Sequence, residues 1–349
     1  MLPGRSLRGG FIALGLSVLG LSGCGVFTSY PEQTAVARLD FSRGEGARAL
    51  KEFEDGASGG NDQLCYLLER GIILHTLGDL SASTAEFFKA RDLIRQYEER
   101  ALVSGSDVLE QAGTLLVNEK TASYQGEGFE KILLHTYLAL NFLAEGKLED
   151  ARVEIRATYD RQKEEATRHE KELAEAREKA GKEAVPVDLI SSRLDGEYSA
   201  SAAVAGRVQN CYQNALACYL SALVYELNGE PNDAYIDLKA FAELVPDFPP
   251  AQKKLLYYSE QLGFQDEAER WRGTFRSPEV RKRSRTTHGE LVLILQAGEA
   301  PLKSQVLIPL PLAGGIVTIA FPIYQTRPDG LTGAEVRISD HAVGRTTVL

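Results

Sequence analysis

Histidine, cysteine, tryptophan and methionine are all scarce in this chain of 349 residues: five, four, one and one. No two of the histidines (His75, His135, His169, His288, His341) form a His-x-x-x-His pair, so no helical zinc site is indicated. His75 and His135 fall inside helix-patterned segments and read as packing residues. A phosphate loop is missing as well: Gly298-Glu299-Ala300-Pro301-Leu302-Lys303 lacks the second Gly and the Ser or Thr, and reads as a tight turn. Gly56 to Gly60 matches Gly-x-Ser-x-Gly around Ser58, but a charged, helix-prone segment precedes it. A nucleophile elbow needs a strand there, so the glycines read as a flexible break. The carboxylate pairs Glu127 with Glu130, and Glu149 with Asp150, sit in charged surface-like sequence. No catalytic residue, cofactor or metal is therefore expected. A basic excess is also lacking. Lys and Arg number 39 against 49 Asp and Glu, a net charge of -10. That balance argues against nucleic acid as a partner. After residue 23 no apolar run approaches the about 20 residues that span a bilayer.

The N-terminus reads as a targeting segment, residues 1–23. Arg5 and Arg8 give it a positive start, and Phe11 to Leu21 an apolar run of 11 residues. It ends in Leu21-Ser22-Gly23-Cys24, which resembles the lipobox of bacterial lipoproteins. The resemblance implies cleavage before Cys24, diacylglycerol on its sulfur and acylation of the new amino terminus. Several acyl chains anchor stably where one would not. Gly25 in place of Asp favours the periplasmic face of the outer membrane. Of the other cysteines, Cys211 and Cys218 lie about 10 Å apart along one helix, too far for a bond to each other. Cys65, Cys211 and Cys218 read as small buried residues, with a long-range bridge from Cys65 as the alternative.

Internal repeats organise the middle of the chain. Four segments, over residues 61–275, pair an apolar helix with a second helix across a turn glycine: Gly78, Gly146, Gly229 and Gly263. The steps are 68, 83 and 34 residues, and the first is twice the last. A period of 34 is that of tetratricopeptide repeats. Small residues at Gly71, Ala139 and Ala222 let the helices of a pair approach. Phe87, Ile155 and Leu238 fill the seam with the next pair, and Pro246 ends the third repeat. The fold class expected is mainly α, a tetratricopeptide-like solenoid whose concave surface suits a peptide or a partner helix. Asn141, Glu154 and Arg156 either line that groove or support neighbouring turns.

Other segments read differently. Residues 24–60 are expected to be a lipidated N-terminus and tether. Arg161 to Glu183 carries 14 charged residues among 23 and reads as the second helix of the Gly146 repeat, continued as a solvated arm. Residues 276–288 read as a basic linker. Glu290 to Leu295, Gln305 to Ile308, Ile316 to Tyr324 and Ala334 to Ile338 are β-prone, so 289–349 is expected to be a small β domain, either incomplete at Leu349 or closing a strand there.

Three stretches resemble an uncharacterised family of bacterial tetratricopeptide-repeat lipoproteins of the envelope. They are Tyr124 to Arg161 (YQGEGFEKILLHTYLALNFLAEGKLEDARVEIRATYDR), Val208 to Leu238 (VQNCYQNALACYLSALVYELNGEPNDAYIDL) and Gly289 to Lys303 (GELVLILQAGEAPLK). Ala215 stands where that family often has Pro. The resemblance implies no known reaction. The function expected is a non-enzymatic, membrane-anchored periplasmic scaffold for a protein partner, with cell-wall synthesis machinery a candidate. The alternatives are an outer-membrane assembly or secretion factor, and a cell-wall-binding or cell-wall-modifying protein.

Overall fold

In a computed structural model of the chain the described residues are 30–54, 60–103, 123–183, 213–275, 292–296, 302–312, 315–325, 333–338 and 341–347. Cys24 with the rest of the targeting segment, Ser58, Cys211 and the linker 276–288 lie outside them. The helices are α1 Tyr30–Gln33, α2 Ala35–Ser42, α3 Gly46–Glu54, α4 Gln63–Leu77, α5 Leu80–Val103, α6 Gly128–Ala144, α7 Leu148–Glu183, α8 Ala215–Leu227, α9 Pro231–Leu244, α10 Pro249–Gln261 and α11 Gln265–Thr274. From α2 to α11 every helix packs on the one before it, and α4 with α6, and α6 with α8, touch as well. The first helices α4, α6 and α8 thus form one layer.

Each pair turns on a glycine in the left-handed region: φ is 81° at Gly44 and Gly78, 74° at Gly146, 75° at Gly229 and 80° at Gly263. A side chain is strained there, whereas glycine ends a helix without penalty. The starts are marked too. Pro231 and Pro249 open α9 and α10, where a missing amide donor costs nothing. Asn214 caps α8 by accepting from the Ala217 amide at 3.0 Å.

Small-to-large matching closes each pair. A β-carbon on Gly71 would stand 2.4 Å from the Phe87 ring, so only glycine fits under it. Ala139 and Ala222 are buried, as are Ile155 and Leu238. Three apolar cores result. The first holds Ala37, Ala49, Phe53, Tyr66 and Ile73. A second joins α4 to α8 around Leu64, Phe87, Leu138, Ile155 and Leu220. The last joins α8 to α11 around Tyr235, Leu238, Phe241, Leu255 and Trp271. Each large aliphatic or aromatic side chain taken fully from water contributes about 1.5–3 kcal/mol.

Several expectations are corrected. The tether over 24–60 does not hold for Tyr30–Glu54, which folds as α1 to α3 and packs on α4. Gly44 stands 34 residues before Gly78, with Ala37, Ala49 and Phe53 at the small, small and large positions of a further pair. The arm does continue the second helix of its pair, as the pattern implies, but it is not solvated from its start. It is the end of α7, and its first turns are tied down: Arg161 bonds Glu98 at 2.7 Å, and Glu165 is buried against Gly128.

Among the described residues, a single β domain over 289–349 is not formed either. Strands β1 Leu302–Leu312 and β2 Gly315–Gln325 make one antiparallel hairpin, from Leu302 opposite Gln325 to Leu312 opposite Gly315. β3 Gly333–Ile338 and β4 His341–Thr347 make another, with a register shift after Val336. Among the described residues these are separate two-stranded sheets. Pro309 and Pro311 lack amide donors, which confines β1 to edge positions. The strand expected over Glu290 to Leu295 is absent where described: Val292–Gln296 belong to no strand and lie against the helices.

Candidate functional site

The layer of first helices presents one recurrent stripe. Counted from Gly71, α4 carries Leu68, Ile72 and His75 on a line at helical spacing, beside the face that meets α5. The same positions counted from Ala139 on α6 hold Thr136, Leu140 and Leu143. Counted from Ala222 on α8, they hold Tyr219, Leu223 and Glu226, with Leu227 one residue on. Leu68, Ile72, Leu143 and Leu223 are half-buried and Leu227 is 60% exposed, whereas Thr136 and Leu140 on α6 are buried. This apolar stripe is the best candidate for a binding face, because side chains serving only the cores would be covered.

At the seam between α4 and α6 the stripe is held by a polar chain. His75 Nδ1 and Asn141 Oδ1 are 2.6 Å apart. The Asn141 amide donates to Ser83 Oγ at 2.9 Å and Thr84 Oγ1 at 3.1 Å. Ser83 Oγ in turn donates to the Gly71 carbonyl at 2.8 Å. With its nitrogen so engaged, Asn141 turns its oxygen to His75, and His75 Nδ1 is the donor. The other ring nitrogen, Nε2, is left as an acceptor, and Gln296 Nε2 stands 3.1 Å from it. The His75 ring also meets Tyr137 edge-on, centroids 5.2 Å apart.

Deeper pairs are structural. His135 Nδ1 lies 2.7 Å from Glu154 Oε2, and Arg91 reaches the other oxygen at 3.4 Å. Glu98 holds Lys131 at 3.0 Å and Arg161 at 2.7 Å, which keeps its carboxyl below the usual range against the opposing effect of burial. Glu130 accepts from the Glu127 amide at 2.8 Å and the Tyr124 hydroxyl at 2.5 Å. It is not the surface acid the sequence suggests, and burial pushes its carboxyl up. Of the residues the sequence singles out, Asn141 and Glu154 are therefore buried supports. Arg156 is exposed and interacts with Tyr225 across α7 and α8. His135 is buried, while His75 faces the stripe.

Two other places were candidates for chemistry. An open cleft of about 680 Å³ is lined by Glu54, Arg70, Glu86, Lys89 and Asp92 among others. Within it Arg70 pairs with Glu86 at 3.5 Å and Lys89 with Glu86 at 2.8 Å. Cys65 is half-buried, Cys218 is buried, and both are free thiols. Burial pushes both up, Cys218 to about 12, so neither is a thiolate near neutral pH. Among the described residues, no three His, Cys, Asp or Glu side chains converge as for a metal ion.

No family model matches the chain, and no curated protein does. Solved structures similar to it include MamA from Desulfovibrio magneticus RS-1, at 13% identity over 69% of this chain and 88% of that one, with a TM-score of 0.35. Another crystal structure of MamA is 12% identical over 68% and 91%, TM-score 0.37. A putative kinesin light chain from Podosopora anserina, with nearly identical TPR-like repeats, is 12% identical over 70% and 92%, TM-score 0.36. At such scores the fold reading stands on the helix pairs themselves.

Proposed function

We propose that this chain is a non-enzymatic bacterial lipoprotein, anchored through acyl chains on Cys24 at the periplasmic face of the outer membrane, whose helix-pair array binds a protein partner of the cell envelope. The observation that carries the binding reading is the apolar surface that the cores leave partly uncovered at Leu68 and Ile72 on α4, Leu143 on α6, and Leu223 and Leu227 on α8. A layer of parallel first helices offers an extended surface without a built-in reaction. The anchoring reading rests on Leu21-Ser22-Gly23-Cys24.

A crosslinked pulldown of the full lipoprotein from its native envelope, with proteins identified by mass spectrometry, tests the binding reading. One stoichiometric protein, lost on Leu68→Ser with Ile72→Ser in a variant that keeps its helical circular dichroism, supports it. Glycan strands in place of any protein would contradict it. Cys24→Ala tests the anchor: unlipidated precursor and loss from the membrane fraction are expected. A variant still cleaved, acylated and membrane-bound would contradict it.

A further inference from the structure

Val292–Gln296 are an apolar segment that neither joins a strand nor enters a core as a helix, yet two of its side chains turn to the repeat array. Ile294 packs against the core cluster of α4 to α8, and Gln296 bonds His75. The intervening and preceding leucines do the opposite, with Leu295 48% and Leu293 57% exposed. Ile294 is half-buried and Gln296, itself exposed, reaches back to His75, while 293 and 295 point away, the alternation of an extended chain. The contact joins residues 221 apart in sequence, so local geometry does not impose it.

We infer that the seam between α4 and α6 is a docking site for an extended segment carrying an aliphatic side chain and, two residues later, a carboxamide, and that Ile294 and Gln296 of this same chain occupy it when no partner is bound. This rests on the partner-binding reading and names the ligand class for that face. The aliphatic side chain packs on the same buried cluster as the half-buried Leu68, Ile72 and Leu143. The carboxamide N–H meets His75 Nε2, which Asn141 holds as an acceptor from behind. Asn141 is itself fixed by Ser83 and Thr84, so the acceptor is preorganised. A lone carboxylate at the same place has no proton to offer that nitrogen, so acidic side chains are disfavoured. A segment tethered in its own chain competes at an effective concentration that a free peptide must exceed. A partner segment therefore binds only as far as the internal one is released, and its apparent affinity falls by the released fraction.

The test uses the full chain and a fluorescently labelled peptide with the sequence of residues 289–298, GELVLILQAG, read by anisotropy. Ile294→Asp with Gln296→Ala in the protein should release the internal segment and leave the seam intact. That variant is expected to bind the peptide at least about tenfold more tightly than the unaltered chain. A peptide carrying the same two changes should not bind. His75→Phe, added to the released variant, should weaken peptide binding while ring packing on Tyr137 is kept, as thermal unfolding would verify. Equal binding by released and unaltered chains overturns the internal occupancy. No binding by the released variant, with its fold intact, overturns the site. Envelope pulldown run beside these keeps the cases apart: a partner recovered in either case leaves the broader reading standing, and only its loss removes both.

Discussion

Between α4 and α7 the apolar core also encloses a hydrogen-bonded set of polar side chains, whereas between α8 and α11 it is rich in packed aromatic rings. The first holds His135, Asn141, Glu154, Ser83, Thr136 and Thr158 out of water. In the second Tyr219 meets Phe241 at 5.1 Å, Phe241 meets Phe248 at 5.5 Å, and Trp271 stacks on Phe275 at 5.0 Å. Both are made of the same glycine-turned pairs. Apolar area tolerates several packings of similar energy. A buried hydrogen-bond chain is satisfied in one arrangement and costly in the rest. The half that presents His75 is thus the half whose register is fixed by bonds, and the aromatic half supplies area.

The largest effect is expected in the aromatic half. Phe241→Ala removes a ring in contact with two others and should cost about 3–5 kcal/mol, read as a lower midpoint in urea. Asn141→Ala comes next, at about 2–4 kcal/mol, because Ser83, Thr84 and His75 all lose a partner at once. A cost no larger than that of an exposed substitution would erase the contrast between the halves. Gly71→Ala should cost about 1–3 kcal/mol, since the gain in helix propensity is outweighed by the clash with Phe87.

Asp237 gives the smallest effect, and one that depends on pH. Burial raises its pKa from 3.8 to about 7, only partly offset by a hydrogen bond from Ser221. The folded state therefore favours the neutral acid. The stability this brings is present below about pH 4 and is lost as pH rises through 7. Asp237→Asn stays neutral throughout. Its melting temperature should exceed that of the unaltered chain at pH 8, by about 1–2 kcal/mol of stability, and match it near pH 4.

The pairs turned by Gly78, Gly146, Gly229 and Gly263 are legible in the sequence because a turn that requires positive φ selects glycine at a fixed step. The pair at Gly44 keeps the same step to Gly78, with Ala37, Ala49 and Phe53 in place. It is obscured because Tyr30–Glu54 has weak helical patterning and runs into Gly56-Ala57-Ser58-Gly59-Gly60. Glu130 lies in charged-looking sequence, and only the tertiary fold brings Tyr124 to it. Val292 to Leu295 reads as a strand since a short apolar run carries no period of its own. His75, which the following Gln296 meets, lies more than two hundred residues away, and no local rule encodes that pairing.

The claim that the stripe on the first helices is the binding face is tested most directly by photocrosslinking from single sites in the native envelope. A photoreactive phenylalanine analogue replaces either Leu227 on α8, 60% exposed on the stripe, or Tyr159 on α7, 56% exposed on a second helix. A covalent adduct with one other protein from position 227, and none from 159, is the result expected. Adducts of equal yield from both positions, or from 159 alone, would contradict the assignment of the face.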